Sequence, residues 1–239
     1  MKNETQYDVI IVGAGVAGLV AAKKCEGSGL STLLIDADDK LGGRVQTDKI
    51  EGFTLERGFQ VIIDTYEKAK EILDFEALSL QKFEPGAKIY DEKGSFSIAD
   101  PLRKASALPS TLLSRVGSFS DKLKMLSLSR KLQSNSLTEV FQGKRQTTLD
   151  YLREFGFSEK IIHNFFKPFF GGIFLERNLS TDAAMFRFVF RNFSKGNACL
   201  PAKGMGEIPN QLRDYLHKTE IKLKAKIAKV NHEPSVEFD

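Results

Sequence analysis

An α/β fold built on a parallel sheet is what the sequence predicts, and three observations near its start predict it. "YDVIIVG", residues 7–13, is an apolar, β-branched run that stops at glycine, the pattern of a strand buried on both faces. "GAGVAG" follows at once and sets Gly13, Gly15 and Gly18 in G-x-G-x-x-G spacing, with Ala14 inside the turn. "LSTLLID", residues 30–36, is a second apolar strand, and it finishes on Asp36.

Each element has a mechanical reason. Residues 16–26, "VAGLVAAKKCE", carry a helical apolar pattern that the Gly27-Ser28-Gly29 cluster ends. Gly13 permits a tight turn, Gly15 lets backbone approach a pyrophosphate, and Gly18 allows the helix to pack closely on the strand. The helix N-terminus offers unpaired N–H groups and the positive end of its dipole to phosphates. Asp36 lies 18 residues beyond Gly18, close to the ~20 expected for an acid that accepts ribose hydroxyls. A carboxylate there repels a 2′-phosphate, which argues against NADP. The context of strand, turn, helix and acid marks a Rossmann-like dinucleotide site rather than a ligand-free glycine turn.

"LGGRVQT", residues 41–47, comes next. A loop leaving a strand that ends at the ligand can fold back over the pyrophosphate. Its glycines remove side chains that would block approach, and Arg44 can donate a forked pair of hydrogen bonds to phosphate oxygens. An isolated Gly-Gly-Arg is more often a surface turn with a solvated arginine. The preceding fingerprint reverses that preference.

With these residues in place the chain resembles the FAD-dependent amine oxidase superfamily, which includes phytoene desaturases and protoporphyrinogen oxidases. Gly13, Gly15, Gly18, Asp36, Gly43, Arg44 and Thr47 match its pattern of fingerprint, acid and G-G-R-x-x-T. Asp36 stands where the family usually has Glu, which shortens the reach to the ribose. "GFTLERGFQVI", residues 52–62, resembles the segment that brings backbone near the flavin ring, with Gly58, Phe59 and Gln60 in its loop and Glu56 where Asp is commoner. "LPAKGMGEIPNQLRDYL", residues 200–216, is similar to the turn and helix by which such chains return to the FAD domain. "IKLKAKIAKV", residues 221–230, looks like the following strand, in which Ile227 matches the residue whose backbone touches adenine.

The resemblance implies a Rossmann-like FAD-binding domain with a parallel sheet, plus an inserted, mainly helical substrate-side domain, the C-terminal part of the fold being absent. The divisions are residues 1–62, the first part of the FAD domain; 63–197, the insertion; and 198–239, an incomplete return. FAD is the implied cofactor, held by Gly13, Ala14, Gly15, Gly18, Asp36, Gly43, Arg44, Gly58, Phe59 and Ile227. The implied activity is hydride transfer from a C–N or C–C bond of an apolar small molecule to flavin. The alternative is a truncated or degenerate nucleotide-binding product without turnover.

In the middle of the chain, Ser158 is a plausible helix cap, Gly171-Gly172 a helix break, and residues 179–196 a helix starting near Ser180 or Thr181 and stopping at Gly196. Nine of the 19 phenylalanines fall between Phe165 and Phe193, with Phe186, Phe190 and Phe193 on one helical face. Hydrophobic core is the better reading for most of them, and a wall against an apolar substrate the other for one or two. "DKLKMLSLSRKLQ" places Met125, Leu128 and Leu132 on one side of a basic helix. A solvated helix packed on its own domain is favoured there over peripheral contact with an anionic membrane.

Composition excludes several classes. A net charge of +4 gives no general affinity for nucleic acid. Cys25 and Cys199 form no disulfide framework, and His163, His217 and His232 lie at no metal-ligand spacing, so no metal is expected. No secretory leader or apolar span is visible, so a reducing cytoplasmic location is the expectation. No catalytic motif stands out, as befits chemistry carried by a cofactor.

Overall fold

The computed structural model describes residues 6–58, 60–92, 94–99, 111, 113–230 and 236–238. The chain forms two compact units, one of residues 1–62, 66–81 and 199–239, the other of residues 63–65 and 82–198. Residues 66–81, expected from the sequence to lie in the insertion, pack with the first unit.

In the first unit, β1 (Val9–Val12), α1 (Val16–Gly27) and β2 (Thr32–Ile35) form the expected strand–helix–strand unit. The sheet is parallel throughout, ordered β1, β2 and the late strand Glu220–Lys222, with Val9 opposite Thr32 and Ile221 opposite Leu34. The central strand, β2, is buried at every position. Both strands are shorter than their apolar runs because side chains replace the ladder at the lower end. There Ser31 donates through its N–H and hydroxyl to Asp8, while the Asp8 N–H donates to Ser31 Oγ. Leu19 and Ala22 of α1 meet Leu34, Ile208 and Leu212 in one core.

The chain then makes an antiparallel hairpin, β3 (Thr47–Ile50) and β4 (Phe53–Glu56), with Thr47 opposite Glu56. On its return it runs through the helix Glu207–Asp214. Glu26, at the end of α1, anchors the segment leaving that returning helix by accepting from the His217 N–H, the Thr219 N–H and the Thr219 hydroxyl at 2.7–2.9 Å. Burial pushes its carboxyl upward, but these bonds outweigh it and hold the pKa at about 2.

The expected strand over 221–230 is in fact two strands, Glu220–Lys222 and Ile227–Val230. Lys224 has φ +54°, and its N–H donates to the Asp38 carbonyl while that of Ala225 donates to the Asp36 carbonyl, each at 2.9 Å. Donors spent on the loop after β2 cannot continue a ladder. The second strand pairs antiparallel with Val236–Phe238 instead.

The second unit joins the hairpin Gly86–Asp91 and Gly94–Ala99 to a group of helices. All nine phenylalanines from Phe165 to Phe193 belong to its core or pack against it, the role expected for most of them. Leu128 and Leu132 of the helix Phe119–Ser134 are fully buried there, which turns the apolar side of the basic helix inward. Ser158 caps its helix as expected, accepting from the Ile161 N–H.

Gly171-Gly172 does not break the helix, which runs Lys167–Phe174 and ends in a left-handed Leu175. The glycine serves the returning chain instead, since a Cβ on Gly171 would lie 2.8 Å from the Glu176 carbonyl oxygen. Just before it, Ile162–Phe166 is wound as a π-helix ahead of Pro168. Proline has no N–H and its ring collides with the carbonyl four residues back, which a wider turn relieves. The next helix is Ala183–Lys195, capped by Asp182, just past the start expected near Ser180 or Thr181, and it stops at Gly196 as expected.

Candidate dinucleotide site

The site is assembled where β1 hands over to α1. Gly13 turns the chain with φ +105° while its N–H donates to the Ile35 carbonyl at 2.7 Å. Gly18 has to be glycine, because a Cβ there would sit 1.9 Å from the Gly13 carbonyl oxygen. Gly15 caps α1 without a side chain, and no acidic residue occupies the first turn. The N–H groups of that turn and the positive dipole end therefore remain for an anion.

The second glycine loop is held directly against this turn. Gly42 forms a parallel bridge with Gly15 and donates its N–H to the Ala14 carbonyl at 2.9 Å. Its φ is +106°, and a Cβ would lie 2.3 Å from the Val45 carbonyl oxygen. Gly43 sits so close that its Cβ would be 3.5 Å from Gly15 Cα. The motif match singled out Gly43, and Gly42 turns out to make the bridge.

Asp36 faces the same turn. Its Oδ2 accepts the Ala14 N–H at 2.6 Å and its Oδ1 the Asp38 N–H at 2.9 Å. A carboxylate has room for further donors beside these two. Ala14 is fully buried and contributes backbone alone. Arg44 is exposed, and its guanidinium has no hydrogen-bond or ion-pair partner among the described residues. The nearby Arg57 differs, being tied to Asp48 at 2.7 Å.

A carboxylate clamp sets the far side of the loop. Thr47 donates its hydroxyl to Glu56 Oε2 at 2.7 Å, and Glu56 Oε1 accepts the Met205 N–H at 2.9 Å. Thr47 Oγ1 in turn accepts the Gly206 N–H at 2.8 Å. The G-G-R-x-x-T threonine and the return segment are thereby joined, a role the linear sequence does not display. Gly58 lies just beyond with φ +114°, exposed and open above its Cα. Phe59 lies outside the described residues. Ile227 is half-buried, two residues past the Ala225 contact with the Asp36 carbonyl.

Two further residues were not singled out as side-chain ligands. Gln46 is only 4% exposed, yet neither its Oε1 nor its Nε2 has a partner among the described residues. Gln60 donates its Nε2 to the Arg44 carbonyl at 2.5 Å and leaves its buried Oε1 unpaired. Uncapped helix N–H groups, a side-chain-free cradle, a free guanidinium and orphaned amides together suit a large anionic dinucleotide with a polar heteroaromatic end. Among the described residues, no group of three or more His, Cys, Asp or Glu is placed to hold a metal.

Comparison with known proteins agrees with this geometry. The pattern of the flavin-containing amine oxidoreductase family matches residues 16–237. The chain belongs to that family. Putrescine oxidase of Kocuria rosea is 33% identical over 90 residues, 37% of this chain and 19% of that protein. Human lysine-specific histone demethylase 2 is 35% identical over 102 residues, 42% of this chain and 12% of that protein. In three dimensions an oxidoreductase from Methanosarcina mazei matches with TM-score 0.70 at 17% identity, over 97% of this chain and 55% of that one. A putrescine oxidase variant with redesigned cofactor binding matches with TM-score 0.66 at 21% identity, over 98% and 55%.

The chain thus spans about half the length of these solved structures. The α/β fold, with the parallel sheet and added helices of this family, is the one expected, and FAD is the cofactor of the family's flavoproteins. Among the described residues no helix is long and apolar enough to cross a membrane.

Proposed function

We propose that this chain supplies the FAD-binding face of an oxidoreductase of the amine oxidase and desaturase type, acting on a C–N or C–C bond of an apolar small molecule. The observation that carries the reading is the meeting of two glycine turns, Gly13–Gly18 and Gly42-Gly43, across an uncapped helix N-terminus, with Arg44, unpaired among the described residues, alongside. When bound, the flavin supplies the hydride acceptor.

The chain's own residues do the holding. The α1 N–H groups and Arg44 take the pyrophosphate, the remaining lone pairs of Asp36 take ribose hydroxyls, and the Gly58 loop lets backbone come up to the ring. The Thr47–Glu56–Met205 clamp keeps those pieces in register. Phe59 and Ile227 are assigned to the ring end and the adenine end on the family likeness alone.

A second reading, dinucleotide binding without turnover, draws on the fold's reach. The same architecture matches a RAB GDI from Plasmodium falciparum with TM-score 0.58 at 14% identity, a name that denotes no oxidase. Fold does not settle catalysis. The visible absorption spectrum of the purified chain, with cofactor released by denaturation and typed as FAD or FMN, is the first test. Bound FAD that an apolar amine bleaches under anaerobic conditions supports the oxidoreductase. Bound FAD that no amine or unsaturated substrate reduces supports the second reading. A folded chain that takes up no FAD overturns both.

A further inference from the structure

The orphaned amide of Gln46 and the unpaired Oε1 of Gln60 are the features that dinucleotide binding as described leaves unused. A buried polar group without a partner costs stability, and native chains retain few of them. Among the described residues three such atoms, Gln46 Oε1, Gln46 Nε2 and Gln60 Oε1, fall between residues 46 and 60 of the first unit. The stretch is continuous in hydrogen bonding. The Arg57 N–H donates to the Gln46 carbonyl at 3.0 Å, and Gln60 Nε2 holds the Arg44 carbonyl, so the two segments run on from the β3–β4 hairpin toward the glycine loop.

The chemistry of these orphaned atoms narrows what satisfies them. They comprise one donor group and two acceptors. Phosphate oxygens accept but do not donate, so a pyrophosphate satisfies Nε2 and leaves both Oε1 atoms unpaired. The pyrimidine edge of an isoalloxazine presents an N–H flanked by two carbonyls, which supplies both kinds of partner.

Position points the same way. Along the loop the order is Asp36, then Gly42-Gly43 against the α1 N-terminus, then Arg44, then Gln46. With ribose at the acid and pyrophosphate at the helix, Gln46 falls beyond the phosphates from the adenosine end. The Lys224 and Ala225 contacts with the Asp38 and Asp36 carbonyls place the return segment beside the acid, at the adenosine end.

We infer that the Gln46 and Gln60 carboxamides are a hydrogen-bonding station for the polar edge of the flavin ring. This rests on the FAD reading above. It assigns to side chains a contact that the family likeness attributes to backbone near Gly58.

The test is Gln46→Leu in the full chain, titrated with FAD and, in competition, with ADP. Leucine has nearly the same volume, and removing an orphaned amide leaves the ligand-free chain's melting temperature no lower than the parent's. Should Gln46→Leu not fold, the unbranched Gln46→Met carries the same measurements. The expected result is FAD affinity lowered roughly ten-fold, ADP affinity unchanged, and a shift in the visible band of bound flavin, because hydrogen bonds to the ring tune its electronics.

Equal loss of FAD and ADP affinity would place the amide at the phosphates and overturn the inference. So would lowered FAD affinity with an unmoved visible band, which assigns the amide to ribityl hydroxyls. Unchanged affinity for both ligands means the amide is filled by a buried water, and the inference fails while the FAD reading stands. No FAD uptake by the parent chain overturns the FAD reading and this one with it.

Discussion

Arg44 and Arg57 show how two arginines in one loop system divide between structure and ligand. Arg57 makes a two-pronged pair with Asp48, whereas the Arg44 side chain makes no hydrogen bond or ion pair among the described residues and stands exposed close to the Gly42–Gly15 bridge. An exposed side chain without partners contributes within about 0.5 kcal/mol to folding. A guanidinium on a phosphate makes charge-assisted bonds of about 1.5–3 kcal/mol. Arg44→Ala should therefore leave the melting temperature almost unmoved while weakening FAD binding roughly ten- to a hundred-fold. Equal flavin retention in variant and parent would remove Arg44 from the site.

Asp121 acts on two helices at once. It is 1% exposed and accepts from the Ser118 N–H and hydroxyl, which closes the capping box of the helix Phe119–Ser134. It also accepts from the Ser158 N–H and hydroxyl at the start of the helical run that begins at Glu159. Burial pushes its carboxyl up, and these four donors outweigh that and hold it at about 2. A depressed folded-state pKa means stability that is full above the ordinary carboxylate range and lost as pH falls toward 2. Asp121→Ala should cost roughly 2 kcal/mol at pH 7, and the gap from the parent should close between about pH 5 and pH 2 in urea unfolding. A gap that stays constant over that range would show that packing, not the charge, is what the variant loses.

The capping serines also mark what was legible. Ser158, the two β strands, α1 and the glycine fingerprint are local signals and stand where the sequence puts them. The Gly171-Gly172 pair looked like a break because a glycine needed for close approach reads the same as one that ends a helix. The turn at Lys224 gave no signal at all, since a lysine in left-handed conformation is chosen by the Asp36–Asp38 carbonyls far along the chain. Burial of Gln46, a polar side chain between Val45 and Thr47, was equally invisible.

At the scale of the whole chain, every residue assigned to the dinucleotide lies in the first unit, and the phenylalanine core that suggested a substrate wall belongs to the second. That separation makes the location of binding measurable without knowing the substrate. A ligand that binds only the folded state stabilises it by about 2.7 kcal/mol at a hundred times its Kd. The gain appears in the amides whose opening exposes the site, because local openings have their own free energies. With FAD at that excess, hydrogen exchange should slow by up to roughly a hundred-fold in β1, α1, β2 and the Gly42 loop. The helices Phe119–Ser134 and Ala183–Lys195 should keep their rates. Glu26 gives a control inside the first unit, since its bonds to the His217 and Thr219 amides hold the return segment independently of any ligand. Those amides should be protected already in the ligand-free chain. Slowing confined to the second unit would move the site away from the glycine turns, and the assignment of Arg44, Asp36 and Gln46 would fall together.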